Sequence, residues 1–127
     1  MTENEIAKHI VDSAFRIHTS LGPGLLESVY EAVMAQELTR RGLYTEWQRA
    51  LPVVWENIHL EAGFRVDLMV ENKVIVEIKS VEAIAPVHRK QLLTYLRLAN
   101  KRLRILINFD VDLIKDGIAR VVNGLAE

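Results

Sequence analysis

Asp67, Glu77 and Lys79 are the residues of this sequence whose types and spacing could do chemistry together. Glu77 and Lys79 are two apart within an apolar run, Val74 to Val81. Side chains on a strand alternate between faces, so these two share one. A carboxylate and an ammonium then stand side by side on a strand otherwise suited to burial, where charges are costly unless paired or bound to a metal. Asp67 lies near the end of the preceding run. If Glu71-Asn72-Lys73 is a three-residue loop, Val70 faces Val74, Asp67 faces Glu77, and both carboxylates share a face with Lys79. A two-residue loop without a bulge would put the two acids on opposite faces. In the first register the two carboxylates form a hard-oxygen site suited to Mg²⁺ or Mn²⁺, with the Ile78 carbonyl as a third ligand. A metal-bound water beside the Lys79 ammonium would be the nucleophile, and the cation would offset charge on a phosphoryl group.

The elements that must position this set follow from periodicity. Thr2 and Glu5 form a capping-box pattern, and Ile6, Ile10, Ala14, Ile17 and Leu21 recur at helical spacing. A helix is expected from about Glu3 to Thr19, stopped by Gly22-Pro23-Gly24. A second runs from about Leu26 to Arg41, with Leu26, Val29, Tyr30, Val33 and Met34 as its inner stripe and Gly42 as its stop. Tyr44 to Val54 reads as a strand, with Pro52 marking an edge or a bulge. Leu60 to Val70 alternates: Leu60, Ala62, Phe64, Val66, Leu68 and Val70 on one face, Arg65, Asp67 and Met69 on the other. Val74 to Val81 reads as a central strand. A helix from about Pro86 to Asn100, with Leu92, Tyr95, Leu96 and Ala99 inward, leads to a strand over Leu103 to Phe109. Asp110 or Asp112 would cap a last helix carrying Leu113, Ile114, Ile118, Val121 and Val122. The order is ααβββαβα, an α/β domain over residues 1–127 with a mixed four-stranded sheet flanked by helices.

Three further polar residues are placed to assist. Glu27 sits beside the inner stripe of helix two, three residues before Tyr30, and could bind the metal through a water or act as a base. Gln91 and Tyr95, one turn apart, could position a phosphate or the attacking water. Each has an ordinary reading too. Glu27 alone is a first-turn acid favoured by the helix dipole. Tyr30 and Tyr95 are core residues with a polar tip. Glu77 and Lys79 alone are an exposed ion pair, with Arg65 a structural partner for Asp67. The functional reading rests on convergence of several polar groups at one buried place.

The bulk composition narrows the class. The chain has 127 residues, half of them hydrophobic, with sixteen basic and seventeen acidic side chains for a formal charge of −1. A protein built to coat nucleic acid would be strongly basic, whereas an enzyme can meet a backbone through a local patch. Arg40-Arg41, His88-Arg89-Lys90, and Lys101-Arg102 with Arg104 are the basic clusters available for this. There is no cysteine, which excludes disulfides, thiolate zinc sites and thiol nucleophiles. The four histidines lack metal-ligand spacing. No apolar run can cross a bilayer, and the acidic N-terminus does not read as a signal peptide. The expectation is a cytoplasmic protein with no membrane partner.

Asp67, nine intervening residues, then Glu77-Ile78-Lys79 resembles the PD-(D/E)XK nuclease signature. Gln91-Leu92-Leu93-Thr94-Tyr95 resembles the Q-x-x-x-Y motif of its exonuclease-like branches. Gly24-Leu25-Leu26-Glu27-Ser28-Val29-Tyr30 is similar to the G-x-x-E-x-x-Y motif that names a family of small bacterial proteins in that superfamily. The proline of the superfamily's name is absent, since Arg65-Val66 precedes Asp67. The resemblance implies a restriction-endonuclease-like core and Mg²⁺-dependent phosphodiester hydrolysis. Asp67, Glu77 and the Ile78 carbonyl would be metal ligands, Lys79 the catalytic cation, and Glu27, Gln91 and Tyr95 accessory. Nucleic acid is the expected partner, with DNA the expected polymer, and a homodimer is compatible with this reading. The alternative is a nuclease-fold binding or interaction module whose chemistry is weak or lost.

Overall fold

A computed structural model describes residues 1–83, 90, 94 and 96–125. Helix α1, Glu3–Leu21, opens on the expected capping box: the Thr2 hydroxyl accepts from the Glu5 N–H, and the Glu5 carboxylate accepts from the Thr2 N–H. Its buried face is Ile6, Ile10, Ala14 and Ile17. Helix α2, Glu27–Arg40, buries Tyr30, Met34 and Leu38. Leu26 and Val29 were expected on that inner stripe but are exposed. The helix begins only after Leu26, and its buried stripe runs along Tyr30, Met34 and Leu38, which leaves Val29 on the outer side.

The described residues form five strands, β1 Thr45–Trp55, β2 Ile58–Val70, β3 Val74–Lys79, β4 Leu103–Asn108 and β5 Ile118–Val122. They form one sheet in the order β1-β2-β3-β4-β5. Only β3 and β4 run parallel; the other neighbours are antiparallel. The mixed α/β expectation holds, with two corrections. Among the described residues the sheet has five strands instead of four, and the final expected helix is a 3-10 turn, Ile114–Gly117, followed by β5. Spacing at three and four residues suggested a helix there, but Ile118, Val121 and Val122 are β-branched residues that suit a pleated surface. Pairing with β5 also satisfies the outer backbone edge of β4, every residue of which is buried. Gly117 makes the return possible, since a Cβ there would lie 2.1 Å from the Asn108 carbonyl oxygen.

The sheet separates two apolar layers. On one face α1 and α2 pack on Leu68, Val70, Val74, Val76, Ile78, Ile105 and Ile107. On the other, Leu51, Val66, Met69 and Ile75 pack with Leu96. Leu96 belongs to helical residues 96–99, and Lys90 and Thr94 are helical as well. The rest of the expected Pro86–Asn100 helix, including Gln91, Leu92 and Tyr95, lies outside the described residues.

β2 departs from the strict alternation expected of it. Val66 packs with Met69 and Ile75, whereas Leu68 packs against the opposite face. The break falls at Asp67. Across from it, Gln48 has φ +56° and leaves a gap in the ladder between Trp47↔Leu68 and Arg49↔Val66. Pro52 marks a second irregularity, a register shift between Leu51 and Val53 on the edge strand β1, as its missing N–H suggests.

Candidate active site

The Glu71-Asn72-Lys73 connection sets the register. Glu71 and Asn72 adopt positive φ, and Val70 pairs with Val74, Met69 with Ile75 and Leu68 with Val76. This is the three-residue loop on which the convergence of the acids depended. The β2–β3 ladder ends at Leu68 and Val76, one step before Asp67. There the Asp67 side chain takes the place of a backbone acceptor: its Oδ2 receives the Ile78 N–H at 2.7 Å. An extended residue directs its N–H and C=O toward the same neighbouring side, so the Ile78 carbonyl faces the gap that Asp67 borders.

Glu77 and Lys79 lie on the Ile75 face of β3, away from α1 and α2. Burial pushes the Glu77 carboxyl up to about 7; Arg104 pulls it down, while the charge of Asp67 and a hydrogen bond with it push it up. Lys79 is near enough to pull it down as well. Asp67, Glu77 and Lys79 are therefore brought together. Two carboxylates within hydrogen-bond reach repel each other unless they share a proton or a cation.

Glu27 is placed by other contacts, in a groove that Asp67, Glu77 and Lys79 do not line. Tyr30 is fully buried, stacks on Phe109 with ring centroids 4.3 Å apart, and aims its hydroxyl back at the turn before α2. That hydroxyl donates to the Gly22 carbonyl at 2.6 Å and accepts from the Leu25 N–H at 3.2 Å. The Ser80 hydroxyl donates to the Leu25 carbonyl at 2.7 Å, tying the turn to the residue after Lys79. The Gly-x-x-Glu-x-x-Tyr spacing thus acquires a physical meaning: the tyrosine anchors the turn, and the glutamate, in the first helical turn, lines a groove of about 510 Å³ with Ser80 and Asp110. Gln91 and Tyr95 fall outside the described residues.

Sequence reasoning missed Asn108 and Arg104. Asn108, opposite Lys79 in the parallel ladder, is buried. Its amide donates to the Val81 carbonyl and its Oδ1 accepts from the Val81 N–H, while the Phe109 N–H donates to the Lys79 carbonyl at 2.9 Å. The chain leaving Lys79 is clamped by this set. Arg104 was grouped with Lys101-Arg102 as a surface cation available to a nucleic-acid backbone. It is buried instead, and its Nη2 forms an ion pair with Glu77 Oε1. Only the strand alternation around it, apolar on both sides, hinted at this. The other described basic clusters are partly committed. Arg40 and Arg41 both bind Glu37, and the Lys101 ammonium donates to the Asn72 carbonyl at 2.8 Å. Glu31, also buried, accepts from Trp47 Nε1 at 3.0 Å and from the Gln48 amide.

The donor set suits a divalent cation. It offers two converging carboxylates, and Glu77 Oε1 is buried with no hydrogen bond among the described residues beyond the Arg104 ion pair. No group of three or more acidic or histidine side chains placed to hold a metal ion occurs among the described residues, so the carboxylates here number two. None of the described helices is long and apolar enough to cross a membrane.

The sheet, with its helices and its acid-acid-lysine set at one strand end, is consistent with a restriction-endonuclease-like core. Neither the curated proteins nor the solved structures gave a match to this chain. The family model of the PD-(D/E)XK nuclease superfamily matches residues 4–121, and nucleases of this superfamily generally use divalent metals. From strand register, acid pair and lysine to this match over nearly its whole length, the chain belongs to the PD-(D/E)XK nuclease superfamily.

Proposed function

We propose that the protein is a Mg²⁺- or Mn²⁺-dependent nuclease that hydrolyses phosphodiester bonds in DNA. The observation that carries this reading is the opening of the β2–β3 ladder at Asp67, which brings its carboxylate to Glu77 beside Lys79. Asp67 and Glu77 would hold the ion, with the Ile78 carbonyl as a further oxygen ligand. A bound divalent ion lowers the pKa of its water and offsets charge on the phosphoryl group. Lys79 holds the attacking water and stabilises the charge that develops as the water oxygen bonds to phosphorus and the bond to the leaving strand breaks. Glu27, held through Tyr30 in the groove beside Ser80, is assigned to orient that water or accept its proton. Gln91 and Tyr95 are assigned substrate positioning on their motif, and membership of the G-x-x-E-x-x-Y family is part of the same reading.

A second reading, a nuclease-fold binding module without chemistry, draws on the Arg104–Glu77 ion pair, which sets a fixed cation against one of the metal ligands. Cleavage assays on single-stranded, double-stranded and flapped DNA, and on RNA, separate the two. The nuclease reading predicts Mg²⁺- or Mn²⁺-dependent cleavage by the wild type and a loss of at least about a hundredfold in Lys79→Ala. Equal background from both proteins on every substrate would leave the binding module.

A further inference from the structure

We propose that Arg104 is the resident counter-cation of the metal-free site, and that a divalent ion gains Glu77 by displacing it. The inference rests on the reading of Asp67 and Glu77 as the metal ligands. Arg104 stands beside Ile75 in the parallel β3–β4 ladder, on the face that carries Glu77 two residues on. Its side chain is 3% exposed and that of Glu77 10%, so the pair is held away from water. A guanidinium stays charged under all ordinary conditions, so this positive charge is a permanent part of the site. It lets Glu77 remain near Asp67 when no metal is present, a juxtaposition that would otherwise repel.

The same charge opposes a second cation. A dication bridging Asp67 and Glu77 would share the Glu77 carboxylate with Arg104. Repulsion between charges a few ångströms apart in a partly buried site is enough to shift affinity by about ten- to a hundredfold. Arg104 therefore sets the metal affinity low and makes binding an exchange of partners on Glu77. Lys79 also acts on the charge of Glu77, but among the described residues the ion pair is made by Arg104, while Arg40, Arg41 and Lys101 hold other partners, which is why Arg104 is assigned this role.

The test is Mn²⁺ titration by calorimetry, with thermal melts with and without Mn²⁺, on the wild type, Arg104→Met, Arg104→Lys and Asp67→Ala. Arg104→Met is expected to bind Mn²⁺ about ten- to a hundredfold more tightly than wild type. Its metal-free form should melt lower, because Glu77 is left buried without its cation, and Mn²⁺ should raise its melting temperature by more than in wild type. Arg104→Lys, which keeps the charge, should bind as wild type does. Arg104→Gln is read the same way if Arg104→Met does not fold. Equal or weaker Mn²⁺ binding by the neutral variants, with wild-type binding intact and lost in Asp67→Ala, would overturn the role of Arg104 and leave the metal site standing. Absence of binding in every protein would overturn both. Binding that appears only when Arg104 is neutralised would show that the ion does not displace Arg104 in the wild type, and would overturn the proposed exchange.

Discussion

Glu77 carries opposing demands that make it sensitive to pH. Its carboxyl is raised from 4.5 to about 7, first by burial. Between these values the folded protein keeps a proton that the unfolded chain has released, so the stability tied to Glu77 is fully present below about 4.5 and is lost as pH rises through about 7. The metal-free protein should therefore lose melting temperature as pH is raised through this window. Divalent cation should recover more of it above about pH 7 than below, because the ion takes the ionised form. Melting temperatures that do not change with pH, with and without Mn²⁺, would contradict this. Asp67, Glu77 and Lys79 were legible in the sequence because spacing by two on a strand fixes the face and the loop length fixes the register. Arg104 was not. Its partner depends on which strand lies beside β4 in a parallel pair, and no local pattern encodes that neighbour. Glu31 was missed for a similar reason: its partners Trp47 and Gln48 lie on β1, and the apolar period of its helix accounts only for Tyr30, Met34 and Leu38.

The elements positioning the site can be broken separately. Tyr30→Phe removes two hydrogen bonds that hold the turn before α2 while keeping the ring stack on Phe109. Urea denaturation should show a loss of about 1–2 kcal/mol. Cleavage should fall by more than stability alone explains, since Glu27 loses its anchor; unchanged cleavage would remove Glu27 from the site. Gly117→Ala places a methyl against the Asn108 carbonyl, at the residue whose side chain clamps the exit from Lys79. A destabilisation of about 1–3 kcal/mol is expected, and a neutral result would mean the turn relaxes freely. Both helices at the start and the three consecutive strands were legible, because capping and hydrophobic period agree there. The last element was misread since five apolar residues at mixed spacing fit either period, and the deciding fact, the open edge of β4, belongs to the sheet.

For the whole molecule, the formal charge of −1 leaves no general attraction for a polyanion. The surface beside the site sharpens this. A groove of about 380 Å³ is lined by Glu82, Asp110, Asp112 and Asp116, and it meets the Glu27 groove at Asp110. A phosphate backbone is repelled from that side, so substrate should approach from the face that carries Glu77 and Lys79. Replacing Asp112 and Asp116 with Asn on a Lys79→Ala background should tighten DNA binding several-fold at low salt, with the gain fading as salt rises. Fluorescence anisotropy measures this, and unchanged affinity would place the backbone elsewhere. The account as a whole turns on whether Asp67 and Glu77 share one ion. A crystal structure grown with Mn²⁺ and measured at its anomalous edge answers that directly. The predicted result is a single anomalous peak about 2.0–2.2 Å from a carboxylate oxygen of each residue. A peak elsewhere, or none with Arg104 still paired to Glu77 at saturating Mn²⁺, would contradict the account.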